Sequence, residues 1–73
     1  MAKHELIKCT NENKENCYLR IFENLDESYE PISFYWELVD INENPISKSD
    51  KIFTDREICV DNALNKNSIK IIG

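Results

Sequence analysis

The sequence predicts an α+β fold, a β-β-β-α-β unit in which one helix packs on one face of an antiparallel sheet. Three observations carry this expectation. Residues 32–41 alternate apolar side chains at period two, and the hydrophobic period changes to that of a helix after Thr54. A length of 73 residues leaves room for one small domain.

Taken in order, residues 1–16 are expected to form an N-terminal arm, mobile or a short edge strand, ahead of a single domain over 17–73. Leu6, Ile7 and Cys9 give a short apolar patch. Residues 10–16 are polar and rich in Asn, Glu and Lys, and Asn side chains compete for backbone hydrogen bonds and so favour turns. From Cys17 the run Tyr18-Leu19-Arg20-Ile21-Phe22-Glu23 is β-prone, with Leu19 and Ile21 on one face. Residues 24–31 are acidic and polar, and Pro31 biases the residue before it towards extended backbone. Ile32, Phe34, Trp36 and Leu38 then share one strand face, with Tyr35, Val39 and Ile41 on the other. Asn42-Glu43-Asn44-Pro45 makes a turn, so a strand from Ile46 to about Phe53 returns antiparallel.

Thr54 is the expected N-cap, with Asp55 in the first turn and Glu57 in the capping-box position. Cys59 with Ala63 and Val60 with Leu64 form an apolar stripe on a helix from about Asp55 to Lys66. Ser68 to Ile72 reads as a last short strand with Ile69 and Ile71 on one face. No internal repeat is evident.

One helix covers one face of a small sheet, yet the second strand is apolar on both. With Phe34, Trp36 and Leu38 under the helix, Tyr18, Phe22, Tyr35, Val39 and Ile41 are left on the outer face, more apolar surface than a monomer usually exposes in one patch. A domain this small also has a thin stability margin. Its three cysteines are an odd number, which argues against a closed disulfide framework and for a reducing, cytoplasmic setting. Self-association is therefore the expected stabiliser and cover.

Charge bounds the partners. Nine Lys and Arg face fourteen Asp and Glu, for a net charge of −5. Nucleic-acid binding draws affinity from phosphate neutralisation, so no direct nucleic-acid contact is expected, and an anionic membrane is disfavoured likewise. Apolar runs are too short to span a bilayer, and no basic segment precedes an apolar one as in a secretory signal. Between Arg20 and Lys48 there is no basic residue, while Glu23, Asp26, Glu27, Glu30, Glu37, Asp40 and Glu43 all fall there. This stretch reads either as a solvated edge or as an acidic face for a basic protein partner, as in an inhibitor or adaptor. Abundant Ile, Asn and Lys suit an AT-rich prokaryotic or phage genome.

Tyr18-Leu19-Arg20-Ile21-Phe22-Glu23-Asn24 followed by Phe34-Tyr35-Trp36-Glu37-Leu38-Val39-Asp40 resembles the YegP-like family of small proteins of unknown function. Ile46, Ser49, Phe53, Thr54, Cys59 and Ala63 fall at the family's further positions, and the match covers roughly residues 17–67. The family's N-G turn is replaced by residues 42–45 without a glycine, and one extra residue stands between Ser49 and Phe53. The resemblance implies a β(3)-αβ unit used as tandem repeats or as two subunits with exchanged C-terminal strands. For this chain it implies a homodimer in which Ser68–Ile72, with Ile69 and Ile71, is exchanged. It implies no activity.

Enzymatic chemistry finds little to work with. His4 is the one histidine and lies in the arm. His4, Cys9, Cys17 and Cys59 show no metal-site spacing such as C-x-x-C, so no metal and no cofactor are expected. Cys9 and Cys17 could meet across a hairpin, and Cys59 on the helix stripe acts as a small apolar filler. A single glycine, at position 73, excludes a Gly-rich phosphate loop. The chain reads as a non-catalytic interaction or accessory domain.

Overall fold

In the computed structural model, which describes residues 2–72, the elements are β1 (Ala2–Thr10), β2 (Asn16–Leu25), β3 (Pro31–Asp40), β4 (Pro45–Lys48), α1 (Arg56–Asn67) and β5 (Lys70–Ile71). The strands form one antiparallel sheet in the order β4-β3-β2-β1-β5, and α1 packs across β3 and β2. The α+β class and the order from Cys17 onward are as expected, with one strand added in front.

Of the two expectations for this segment, a mobile arm or a short edge strand, a strand forms, nine residues long. β1 pairs with β2 over its whole length, from Ala2 opposite Asn24 to Thr10 opposite Asn16, without a bulge. It lies inside the sheet order, between β2 and β5. The cause is non-local: Cys9 is fully buried in the core and Ile7 packs against it, apolar contacts that only the neighbouring strand and helix provide.

All three hairpins turn in the same way. Asn11, Asp26 and Asp40 each open a turn with a side-chain oxygen that accepts two backbone N–H groups. Asn13 and Glu15 donate to Asn11, Ser28 and Glu30 to Asp26, and Asn42 and Asn44 to Asp40, at 2.8–3.0 Å. The fourth residue of each turn, Lys14, Tyr29 or Glu43, takes a left-handed conformation with φ of 62° to 65°. Non-glycine residues pay about 1–2 kcal/mol there, and the Asx hydrogen bonds offset it. This explains how the β3–β4 turn closes without glycine. It is also a short internal repeat, Asn/Asp-x-Asn/Ser-x-Glu/Asn, set by side-chain oxygen position rather than by hydropathy.

The strand expected from Ile46 to Phe53 is shorter. β4 ends at Lys48, the chain leaves the ladder, and Phe53 rejoins β3 by a single bridge to Phe34. Ser49 keeps the edge of β3 satisfied, donating its N–H to the Trp36 carbonyl at 2.9 Å and accepting the Trp36 N–H on Oγ at 3.2 Å. The N-cap of α1 is Asp55 rather than Thr54, its carboxylate accepting the Ile58 N–H at 3.1 Å. Ser68, left-handed at φ 51°, ends the helix by donating its N–H to the Leu64 carbonyl.

The core lies between the sheet and α1. Leu19, Ile21, Trp36, Cys9, Cys59 and Ala63 are fully or almost fully buried, joined by Phe34, Leu38, Phe53, Val60 and Ile69. The Trp36 indole N–H donates to Asn62 Oδ1 at 2.9 Å, and Ser47 Oγ donates to Asn67 Oδ1 at 2.6 Å, so the middle and the C-terminal end of α1 are tied to the sheet. Ile69 was expected on an exchanged strand, but in the single chain it fills this core, while Ile71 is half exposed and β5 pairs with its own β1.

Candidate functional site

The face of the sheet opposite α1 is the candidate site. On β2, burial of Cys17, Leu19 and Ile21 leaves Tyr18, Arg20 and Phe22 on this outer face. The registers then set three cross-strand rows. His4, Phe22 and Tyr35 form one, Leu6, Arg20 and Glu37 the next, and Lys8, Tyr18 and Val39 the third.

The first row is aromatic. Phe22 and Tyr35 stack at 4.7 Å between centroids and 6° between planes, and the His4 ring meets Phe22 at 5.5 Å and 40°. Such pairs add to the burial energy and fix flat, rigid side chains on an open face. In the middle row Arg20 reaches two carboxylates, Glu37 Oε1 at 3.1 Å and Glu43 Oε1 at 2.8 Å. Leu6 is 55% exposed.

The expected outer-face set is brought together only in part. Tyr18, Phe22 and Tyr35 share the face and are half-buried. Val39 has the expected orientation but is 1% exposed, covered within its own chain between Tyr18 and Pro45, its partners on β2 and β4. It is therefore not available to a partner. Ile41 is exposed but belongs to the β3–β4 turn, not to the face. Reasoning from sequence missed His4, Leu6 and Lys8, although their alternation with Ile7 and Cys9 was a weak signal.

The acidic residues do not make one face. Asp26, Glu27 and Glu30 lie at the β2–β3 turn, whereas Asp40 and Glu43 lie at the β3–β4 turn, at opposite ends of a ten-residue strand. Asp26 and Asp40 spend their carboxylates on their own turns, and Glu37 and Glu43 on Arg20. Glu23 sits beside Lys3 and Phe34 in the ladder. Glu27 and Glu30 form no ion pair among the described residues, and Tyr29 between them is 65% exposed.

Backbone N–H donors from Asn44 and Asn42 hold the Asp40 carboxyl below its ordinary value of 3.8. A lowered folded-state value means that this stabilisation is present above that ordinary value and is lost as pH falls through the folded one. Asp40→Asn should keep the turn, because Asn11 already does this work in the first hairpin, and should flatten the acid limb of a stability-versus-pH curve. Asp40→Ala should lower the melting temperature at neutral pH as well. Thermal melts from pH 2 to 7 check both.

Cys9 and Cys17 are opposite each other on β1 and β2, and both are buried thiols, as is Cys59. Burial pushes Cys9 up to about 11, with the neighbouring Cys17 adding to it, and pushes Cys59 up to about 11 and Cys17 upward. Thiolates are the reactive form, so these groups are poor nucleophiles. At pH 8 alkylation of Cys9 and Cys59 in the folded chain should run about 100-fold slower than in denaturant, from the lost thiolate fraction alone. Mass spectrometry after iodoacetamide treatment reads this directly.

Among the described residues, no group of three His, Cys, Asp or Glu side chains could hold a metal ion, and no helix is long and apolar enough to cross a membrane. The geometry offers a flat aromatic and apolar face, two acidic turn ends and buried, unreactive thiols. Compared with family models, with curated proteins and with solved structures, the chain gave no match.

Proposed function

We propose that this chain is a non-catalytic protein-interaction domain of YegP-like type that works as a homodimer. The observation that carries the reading is the outer sheet face, where Phe22 stacks on Tyr35, His4 meets Phe22 at a tilt and Leu6 is exposed, while α1 covers the opposite face. A rigid aromatic row with little conformational entropy to lose is suited to burial against another protein. The Tyr18–Asp40 segments, matched to the family's first two strands, fall on adjacent paired strands, which supports the resemblance.

Light scattering on a sizing column, over a range of protein concentration and salt, tests self-association. A mass of twice the chain that persists on dilution is the expected result. A single-chain mass at every concentration would remove the homodimer.

A second reading rests on the β2–β3 turn, where Glu27 and Glu30 flank exposed Tyr29 and form no ion pair among the described residues. This end of the sheet would engage a basic protein surface, as an acidic inhibitor or adaptor does. Glu27→Lys with Glu30→Lys should abolish capture of such a partner, whereas reversal of Glu43, already held by Arg20, should not.

A further inference from the structure

β5 covers only the end of β1. Its pairing is confined to Cys9 and Thr10, with one further bond from the Ile72 N–H to the Lys8 carbonyl at 2.9 Å. Among the described residues, nothing pairs with the edge of β1 from Ala2 to Ile7 on the side away from β2. The Lys8 carbonyl points to that side, so in a strand without bulges the N–H and C=O groups of Ala2, His4 and Leu6 point there too. His4, Glu5 and Leu6 are exposed, and α1 packs mainly over β2 and β3, reaching this strand through the ion pair of Arg56 with the Glu5 carboxylate. The other long side of the sheet is protected: β4 has four residues, begins with Pro45 and is broken by a register shift. No proline and no bulge protects β1.

We propose that two copies of this chain pair through the open edge of β1, antiparallel about a two-fold axis at His4, joining their sheets into one. The inference rests on the homodimer reading and names its interface.

The register follows from three constraints. Outward-pointing residues must face outward-pointing residues, so even-numbered positions pair with even-numbered ones. Centring the axis on Leu6 would set His4 against Lys8, whose carbonyl is already taken by Ile72. Centring it on Glu5 would set Ala2 against Lys8 and so again require the Lys8 carbonyl. Centring it on His4 pairs Ala2 with Leu6 and His4 with its own copy, and stops short of β5. It also runs the row Tyr35, Phe22, His4 straight into the same row of the second copy. A second copy thus completes the hydrogen-bonding edge and extends the aromatic row across the axis, leaving the outer face of the joined sheet open.

Leu6→Pro tests the edge without attacking the fold. Its N–H points outward, while the β1–β2 ladder uses the odd-numbered backbone groups, so proline removes a donor only from the open side. The expected result is a folded chain, by circular dichroism, with half the wild-type mass in light scattering at the same concentration. Hydrogen exchange gives the second readout. The His4 and Leu6 amides should be protected in the dimer, and the His4 amide should exchange at least about 100-fold faster in the Leu6→Pro chain. A dimer in which these amides stay unprotected, or a folded Leu6→Pro chain that remains dimeric, overturns the edge interface and leaves the homodimer standing. A wild-type chain that is monomeric throughout, even if the edge binds an extended peptide of another protein, overturns both.

Discussion

A chain lacking residues 1–10 is expected not to fold. The deletion removes β1, and with it the fully buried Cys9, the packed Ile7 and the one strand that β5 pairs with. Loss of the two apolar side chains alone costs on the order of 3 kcal/mol. The β1–β2 ladder, at roughly 0.5–1.5 kcal/mol net for each hydrogen bond, costs several more. Against these stands a total stability of about 4–11 kcal/mol for a chain of this size. Far-UV circular dichroism and a urea titration of the truncated chain decide it. A cooperative transition like that of the full chain would show that the domain begins near Cys17 and that β1 is an ornament. The expected outcome is a disordered or aggregating chain.

Trp36→Ala should have an effect of the same order. Trp36 is the largest fully buried side chain, at the centre of β3 beneath α1. Truncation of such a residue costs about 3–5 kcal/mol through lost burial and the cavity left behind. It also leaves Asn62 Oδ1 without the indole N–H that it accepts at 2.9 Å. The variant should be largely unfolded at 37 °C, or have its urea midpoint reduced by more than half. Asn62→Leu separates the two contributions: it keeps the packing and orphans the indole N–H, at about 1–3 kcal/mol. Because Trp36 is the one tryptophan, its fluorescence reports unfolding of the Asn62 variant without a label. A Trp36→Ala chain with an unchanged midpoint would mean that the core is not organised around this residue.

Much of the architecture was legible in short windows. Alternation in Leu19-Arg20-Ile21 and in Phe34-Tyr35-Trp36-Glu37-Leu38 placed β2 and β3 and the face under the helix, because side chains on a strand alternate whatever lies above them. The change of period after Thr54 placed α1 to within a residue at each end. The outer aromatic residues Tyr18, Phe22 and Tyr35 were legible for the same reason. The Asx turns were legible in principle, since Asp26-Glu27-Ser28-Tyr29-Glu30 and Asp40-Ile41-Asn42-Glu43-Asn44 repeat one pattern. That pattern is one of oxygen position rather than hydropathy, so periodicity does not find it.

Local sequence determined which residues could form strands and helix, which face of each is apolar, and that the apolar surface exceeds what one helix covers. Tertiary structure decided what lies against each face. Ala2–Thr10 became a strand because β2 offers a full ladder and the core takes Cys9 and Ile7. Val39 became inaccessible because Tyr18 and Pro45 flank it, and Ile69 became core because the Ser68 cap turns the chain back under the sheet. The acidic run was divided between two ends because β3 is extended and carries its carboxylates to opposite turns. In each case the deciding contact joins residues far apart in the chain, and hydrophobic periodicity records the face that a residue turns, not the neighbour that it meets.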